Sequence, residues 1–246
     1  MAARAAAGGW RVVAAGHTRG GPPRLDVRDR AAVRAVVRAA QPAAVVHTAY
    51  VQHGKDASGV IVGGSTHVAA EAASAGARLV HLSTDVVFAG DAGRPYREDD
   101  PPDPVSDYGR AKAGAEAAVA AADPDAVVVR TSLIYGGPDR RDSVHERAAV
   151  DPAGTFYVDE LRCPVQVDDL AAALVELCRL PVAGPLHVAG ADAVSRRDFA
   201  ALVTGHAVAG APAPPGRPLD CRLDTTRAGA LLATRLRGVR EVYAGG

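Results

Sequence analysis

Three apolar runs constrain the fold more than any other feature: residues 43–47, 78–82 and 126–130. Each is Val- or Leu-rich and shows no polar/apolar alternation. Strands buried on both faces read this way, and such strands belong to parallel sheets covered by helices. Alanine-rich segments with helical periodicity lie between them. Residues 30–40 place Ala32, Val33, Val36 and Val37 on one face and stop at Gln41-Pro42. A second helix is expected from about Ser65 to Ala75, ended by Gly76. A third should run from Tyr108 to about Ala122, broken by Asp123-Pro124-Asp125. Strand, helix, strand, helix predicts an α/β fold: a Rossmann-like doubly wound parallel sheet.

The ends of the chain are less regular. Residues 2–7 read as the last turns of a helix closed by Gly8-Gly9, residues 10–15 as a short strand, and residues 25–27 as another. After Pro138 the rhythm loosens. Residues 168–180 should be helical, with Asp168 and Asp169 at the positive end. Ser195 is a good N-cap for a helix to about Val203, with Asp198 in the capping-box position. We expect residues 1–138 to form the main domain. Residues 139–246 should be mostly a small C-terminal lobe, with elements returning to the main sheet.

Composition excludes several classes. Lys plus Arg equals Asp plus Glu at 28 each, so no net charge draws the chain to nucleic acid or to a membrane surface. Aromatics at 4% are too sparse for base-stacking platforms. No apolar run approaches the roughly 20 residues of a membrane helix. Cys163, Cys178 and Cys221 are odd in number and far apart, which fits neither a disulfide framework nor a zinc site. A reducing, cytoplasmic compartment is expected. No metal is expected either: Asp168 and Asp169 read as a helix start, and His47 and His81 as satisfied core residues.

The chemistry is concentrated between residues 78 and 112. The strand ends in Ser83-Thr84-Asp85, a proline-rich passage follows, and a helix opens with Tyr108-Gly109-Arg110-Ala111-Lys112. Tyr108 and Lys112, at i and i+4, share a helix face. A phenol ordinarily titrates near 10, too high for efficient proton transfer at neutral pH. A cation one turn away stabilises the phenolate and brings that value down. Hydroxyls at the carboxyl end of a parallel strand point into the ligand crevice of open α/β sheets. Ser83 or Thr84 could therefore orient a carbonyl towards Tyr108.

Several segments occur in a telling order: residues 82–90, Pro95-Tyr96-Arg97-Glu98, Asp103-Pro104, residues 108–112, residues 129–132, residues 164–171 and residues 186–190. Together they resemble the extended short-chain dehydrogenase/reductases, and most of all the dTDP-4-dehydrorhamnose reductase-like, sugar nucleotide-binding family. The resemblance covers roughly residues 10–202. It implies that Thr84, Tyr108 and Lys112 are catalytic, that NADP or NAD is the cofactor, and that the reaction reduces a 4-keto nucleotide sugar. It makes residues 1–138 the NAD(P)-binding domain and the later lobe the substrate-binding one. It places cofactor contacts at Arg19, Asp26, Val27, Thr48, Ala49, Tyr50, Ser83, Lys112, Thr131 and Ser132. Substrate contacts fall to Thr84, Asp85 and Arg162. The implied partner is a nucleotide sugar, without nucleic acid or membrane, and a homodimer is compatible.

Two departures stand out. The family opens with a strand and a glycine-rich turn that lays the cofactor's pyrophosphate on a helix N-terminus. This sequence shows neither, and it reads as starting inside the following helix, roughly 20 residues late for such a unit. Ile61 stands where the family pattern has Asn, and its side chain forms no hydrogen bonds. These departures keep a second reading open: a non-catalytic nucleotide- or nucleotide-sugar-binding regulatory subunit, as in the regulatory subunit of methionine adenosyltransferase, which the fold also resembles.

Overall fold

A computed structural model describes residues 1–17, 23–51 and 57–245. The elements follow one another as α1 (Ala2–Ala7), α2 (Arg30–Ala40), β1 (Ala44–His47), a π-helical turn (Gly59–Gly63), α3 (Gly64–Ser74), β2 (Arg78–Thr84), a 3-10 turn (Asp85–Val87), α4 (Asp107–Ala122) and β3 (Val127–Thr131). After these come β4 (Ile134–Tyr135), α5 (Val144–Ala149), β5 (Leu161–Arg162), β6 (Val165–Gln166), α6 (Val167–Leu177), β7 (Gly184–His187), β8 (Val194–Ser195), α7 (Arg196–Thr204), α8 (Thr226–Leu231) and α9 (Val239–Ala244). A four-stranded parallel sheet runs in the order β1-β2-β3-β7, as the three apolar runs require. No described helix is long and apolar enough to cross a membrane.

The chain forms two compact units. One unit comprises Met1–Ser83, Arg110–Val129 and Leu174–Pro185; the other comprises Thr84–Gly109, Arg130–Ala173 and Leu186–Gly246. In the second unit Phe88 stacks on Tyr96 at 4.1 Å and meets the edge of His187, the last residue of β7.

The first unit is held by one apolar cluster. Val33 and Val37 of α2, Val68, Ala69 and Ala72 of α3, Leu79 of β2 and Val119 of α4 are all buried in it. Asp29 caps α2, its carboxylate accepting from the Ala32 amide at 3.0 Å. The helix ends at Gln41, which takes a left-handed conformation just before Pro42.

Two expected strands are absent. Residues 10–15 and 25–27 form none; only an isolated bridge joins Gly16 to Arg24. β1 pairs with β2 alone among the described residues. An extended segment with no neighbour leaves its backbone groups to water, and Val12 and Val13 are accordingly exposed. The helix expected from Ser65 starts earlier, because the π-helical turn carries it back through the buried Ile61.

The second unit has its own core. Tyr135, Ala149, Val194, Phe199, Ala200, Val203 and Val239 are buried together. Ser195 caps α7 as expected, accepting from the Asp198 amide at 2.9 Å. Glu146 completes a capping box with Ser143 and accepts the Gly136 and Gly137 amides, each at 2.9 Å.

Candidate active site

In the first unit, α4 lies over the end of β2. Lys112 Nζ donates to the Leu82 carbonyl oxygen at 2.6 Å. One turn further along α4, Glu116 Oε1 accepts from Ser83 Oγ at 2.5 Å. All three side chains are buried. Burial pulls the Lys112 ammonium down to about 8, against an opposing pull from Glu116. A lysine in that range can gain and lose a proton near neutral pH. Sequence reasoning missed Glu116, though its i+4 spacing from Lys112 is visible in the chain.

His47 and His81 also belong to this unit, and they are not the satisfied core residues expected. The β1–β2 register sets them side by side, with their Nδ1 atoms 3.1 Å apart. Each Nε2 is buried and has no hydrogen-bond partner among the described residues. Burial and the nearby Lys112 charge hold both rings neutral, His47 at about 4 and His81 well below its ordinary value.

The remaining candidates in this unit lie elsewhere. Asp26 is paired with Arg28 at 2.5 Å, which holds its carboxyl far below the usual carboxylate range. Val27 packs in the core, and its carbonyl meets His67 Nδ1 at 3.0 Å. Thr48 and Tyr50 are exposed, while Ala49 packs against the core. Arg19 lies outside the described residues.

In the second unit, Thr84 opens the 3-10 turn. Its hydroxyl accepts from the Val86 amide at 3.4 Å and donates to Asp85 Oδ1 at 3.2 Å. The head of α4 is pressed onto the same turn at Gly109. A Cβ there would collide with the Val86 carbonyl oxygen and come within 2.9 Å of Pro104 Cβ. Only glycine allows this approach at the position that follows half-buried Tyr108.

Asp85 points the other way, into a charged network. Ser132 Oγ donates to Asp85 Oδ2 at 2.6 Å and accepts from the Cys163 amide at 3.2 Å. Arg162 Nε lies 3.6 Å from Asp85, and Arg162 Nη2 lies 3.2 Å from Glu160. The same guanidinium donates to the carbonyls of Leu161, Leu219 and Pro218. Arg162, expected among the substrate contacts, is thus engaged within the fold. Burial raises the Asp85 carboxyl above its ordinary value, against the opposing pull of Arg162 and two hydroxyls. Thr131 Oγ1 is buried and has no hydrogen-bond partner among the described residues. Glu160 and its second partner Arg217, at 2.8 Å, carried no local sequence signal.

The chain matches the family model described as "RmlD substrate binding domain" over residues 1–243. It is 31% identical over 251 residues to dTDP-4-dehydrorhamnose reductase of Sinorhizobium fredii, covering 90% of this chain and 85% of that one. It is 42% identical over 142 residues to the enzyme of the same name from Mycolicibacterium smegmatis. That match covers 56% of this chain and 43% of the relative, so the chain spans about half the length of several relatives it matches. Among solved structures it resembles a dTDP-4-dehydrorhamnose reductase ortholog from Clostridium acetobutylicum, with TM-score 0.78, 25% identity, and coverage of 89% and 84% of the two chains. The Bacillus anthracis enzyme in complex with NADP superposes with TM-score 0.77 at 24% identity, over 90% and 85%.

Proposed function

The chain belongs to the RmlD substrate-binding-domain family, and on that premise we propose that it is an NAD(P)H-dependent reductase of a 4-keto nucleotide sugar. The observation that carries the reading is α4 itself. It presents Tyr108 and Lys112 one turn apart, with Lys112 buried and poised near neutral pH. When bound, the nicotinamide supplies a hydride to the ketone carbon. Tyr108 gives its phenolic proton to the ketone oxygen. Lys112 would stabilise the phenolate left behind and would hold the ribose hydroxyls of the cofactor. Thr84 orients the carbonyl through its hydroxyl. Asp85 and Ser132 brace Thr84 from behind, and Arg162 acts on the site by fixing Asp85.

The residues that fit the cofactor are those of its reactive end. Thr131 Oγ1, a buried hydroxyl with no partner among the described residues, suits a carboxamide. Gly8 and Gly9 close α1 and form no phosphate turn between a strand and a helix. Three free cysteines accord with a cytoplasmic setting.

The test is NADPH oxidation by the full chain with a 4-keto-6-deoxy nucleotide sugar. Tyr108→Phe should lower kcat by about 100-fold or more, leaving Tm unchanged. No oxidation by the wild type, or equal rates in the variant, would refute the reading. Tight binding of NADPH without turnover would instead favour the regulatory alternative, which Ile61 at the buried π-helical turn also favours.

A further inference from the structure

Helix α2 carries Arg30, Arg34 and Arg38 and no acidic residue. Spacings of four keep all three on one helical face. Like charges at that spacing repel, so the stripe weakens its own helix unless an anion answers it. In α3 the only acidic residue is Glu71, whose side chain is 7% exposed. Arg30 Nε donates to Glu71 Oε1 at 3.0 Å. Arg34 donates from Nε to Oε2 at 3.1 Å and from Nη2 to Oε1 at 3.2 Å. The Arg34 bonds hold the Glu71 carboxyl below its ordinary value, against the opposing effect of burial, and Arg30 adds to them.

These bonds occupy the carboxylate and leave the guanidiniums unfinished. Arg30 keeps both Nη groups and Arg34 keeps Nη1, while exposed Arg38 has no hydrogen bond or ion pair among the described residues. All three arginines and Glu71 line one cavity of about 330 Å³, walled by α2 and the C-terminal end of α3. Three guanidinium charges against one carboxylate leave two positive charges uncompensated. The partial negative charge at the end of α3, about half a charge, reduces this excess without cancelling it. Glu71 serves as a buried peg that fixes two of the forks with their free edges available.

We propose that this cavity binds a sugar phosphate, its phosphate held by the free edges of Arg30, Arg34 and Arg38. A phosphate monoester carries a charge of about −2 near neutral pH and offers three acceptor oxygens, which matches the uncompensated charge and the spare donors. No aromatic side chain is among the described lining residues, so a nucleobase would find nothing to stack on. Ser74 lines the same cavity; its Oγ donates to the Ala70 carbonyl at 2.7 Å and keeps its lone pairs for a sugar hydroxyl. Occupancy relieves the repulsion along α2 and ties α2 to α3, so the ligand stabilises the fold. None of the residues assigned to reduction lines this cavity, and the site stands whether or not the chain is a reductase.

The experiment titrates the full chain calorimetrically with glucose 6-phosphate, inorganic phosphate and glucose at low ionic strength, with thermal unfolding recorded in parallel. Glucose 6-phosphate should saturate one site per chain and raise Tm with its concentration. Inorganic phosphate should bind more weakly, and glucose not at all. Arg38→Gln, which breaks no bond within the fold, should weaken glucose 6-phosphate binding about tenfold, and Arg30→Gln by a similar factor. Absence of saturable binding to the wild type would overturn the proposal, as would an affinity unchanged in Arg38→Gln. Inorganic phosphate binding as tightly as glucose 6-phosphate would overturn the sugar assignment. Should Arg30→Gln fail to fold, Arg38→Gln alone decides.

Discussion

Lys112 donates from Nζ to the carbonyl oxygen of Leu82 at 2.6 Å, joining α4 to the strand that ends in Ser83 and Thr84. The bond spends a lysine charge in a buried place, where an ammonium is poorly solvated. Lys112 therefore titrates at about 8 in the folded chain and at 10.5 when unfolded. Between those pH values the unfolded chain holds a proton that the folded chain has released, so stability rises with pH across that window. The rise is about 3 kcal/mol in full. Lys112→Met should be inactive yet more stable than wild type at pH 7, with the difference narrowing towards pH 10.5. Urea midpoints at pH 7, 9 and 10.5 check this.

Glu116 favours the charged form of Lys112. Glu116→Gln should therefore move the Lys112 titration below 8. The chain has only two lysines, Lys55 and Lys112, so 13C-lysine spectra show two signals, assigned with Lys55→Arg. A midpoint that rises would contradict the assigned coupling.

Gly109→Ala forces a methyl group onto the Val86 carbonyl, and backbone cannot give way cheaply. We expect a loss of about 1–3 kcal/mol together with lowered activity, because Tyr108 moves with the strain. Gly114→Ala, on the same helix, is the control. Its Cβ would meet Val62 Cγ2 at an ordinary 3.5 Å. That variant should gain about 0.5–1 kcal/mol from reduced unfolded-state freedom. Thermal unfolding of both variants separates the two cases.

Arg162→Lys keeps the charge and loses the fork. A lysine cannot serve three carbonyls and two carboxylates at once. The variant should be destabilised by about 2–4 kcal/mol, with loss of activity through a displaced Asp85. Denaturant unfolding with parallel kinetics measures both.

Much of the fold was legible locally. The apolar runs became β1, β2 and β3, and Asp29, Gln41 and Ser195 mark helix ends where side-chain and backbone rules place them. Residues 10–15 read as a strand from hydrophobicity alone, but a strand also needs a neighbour, which the described residues do not offer it. The engagement of Arg162 was not legible in the sequence, because two of the carbonyls it meets come from positions 218 and 219, far along the chain.

The sequence by itself determined the parallel α/β order, the helix stops, and the one-turn spacing of Tyr108 and Lys112. Those properties depend on neighbours within a few residues. Tertiary structure alone decided that Lys112 is buried, that Ser83 meets Glu116, and that His47 faces His81 with their Nδ1 atoms 3.1 Å apart. Burial and cross-strand register depend on segments brought together from a distance, and a proton affinity is set by what lies around the group, not by what lies beside it in the chain.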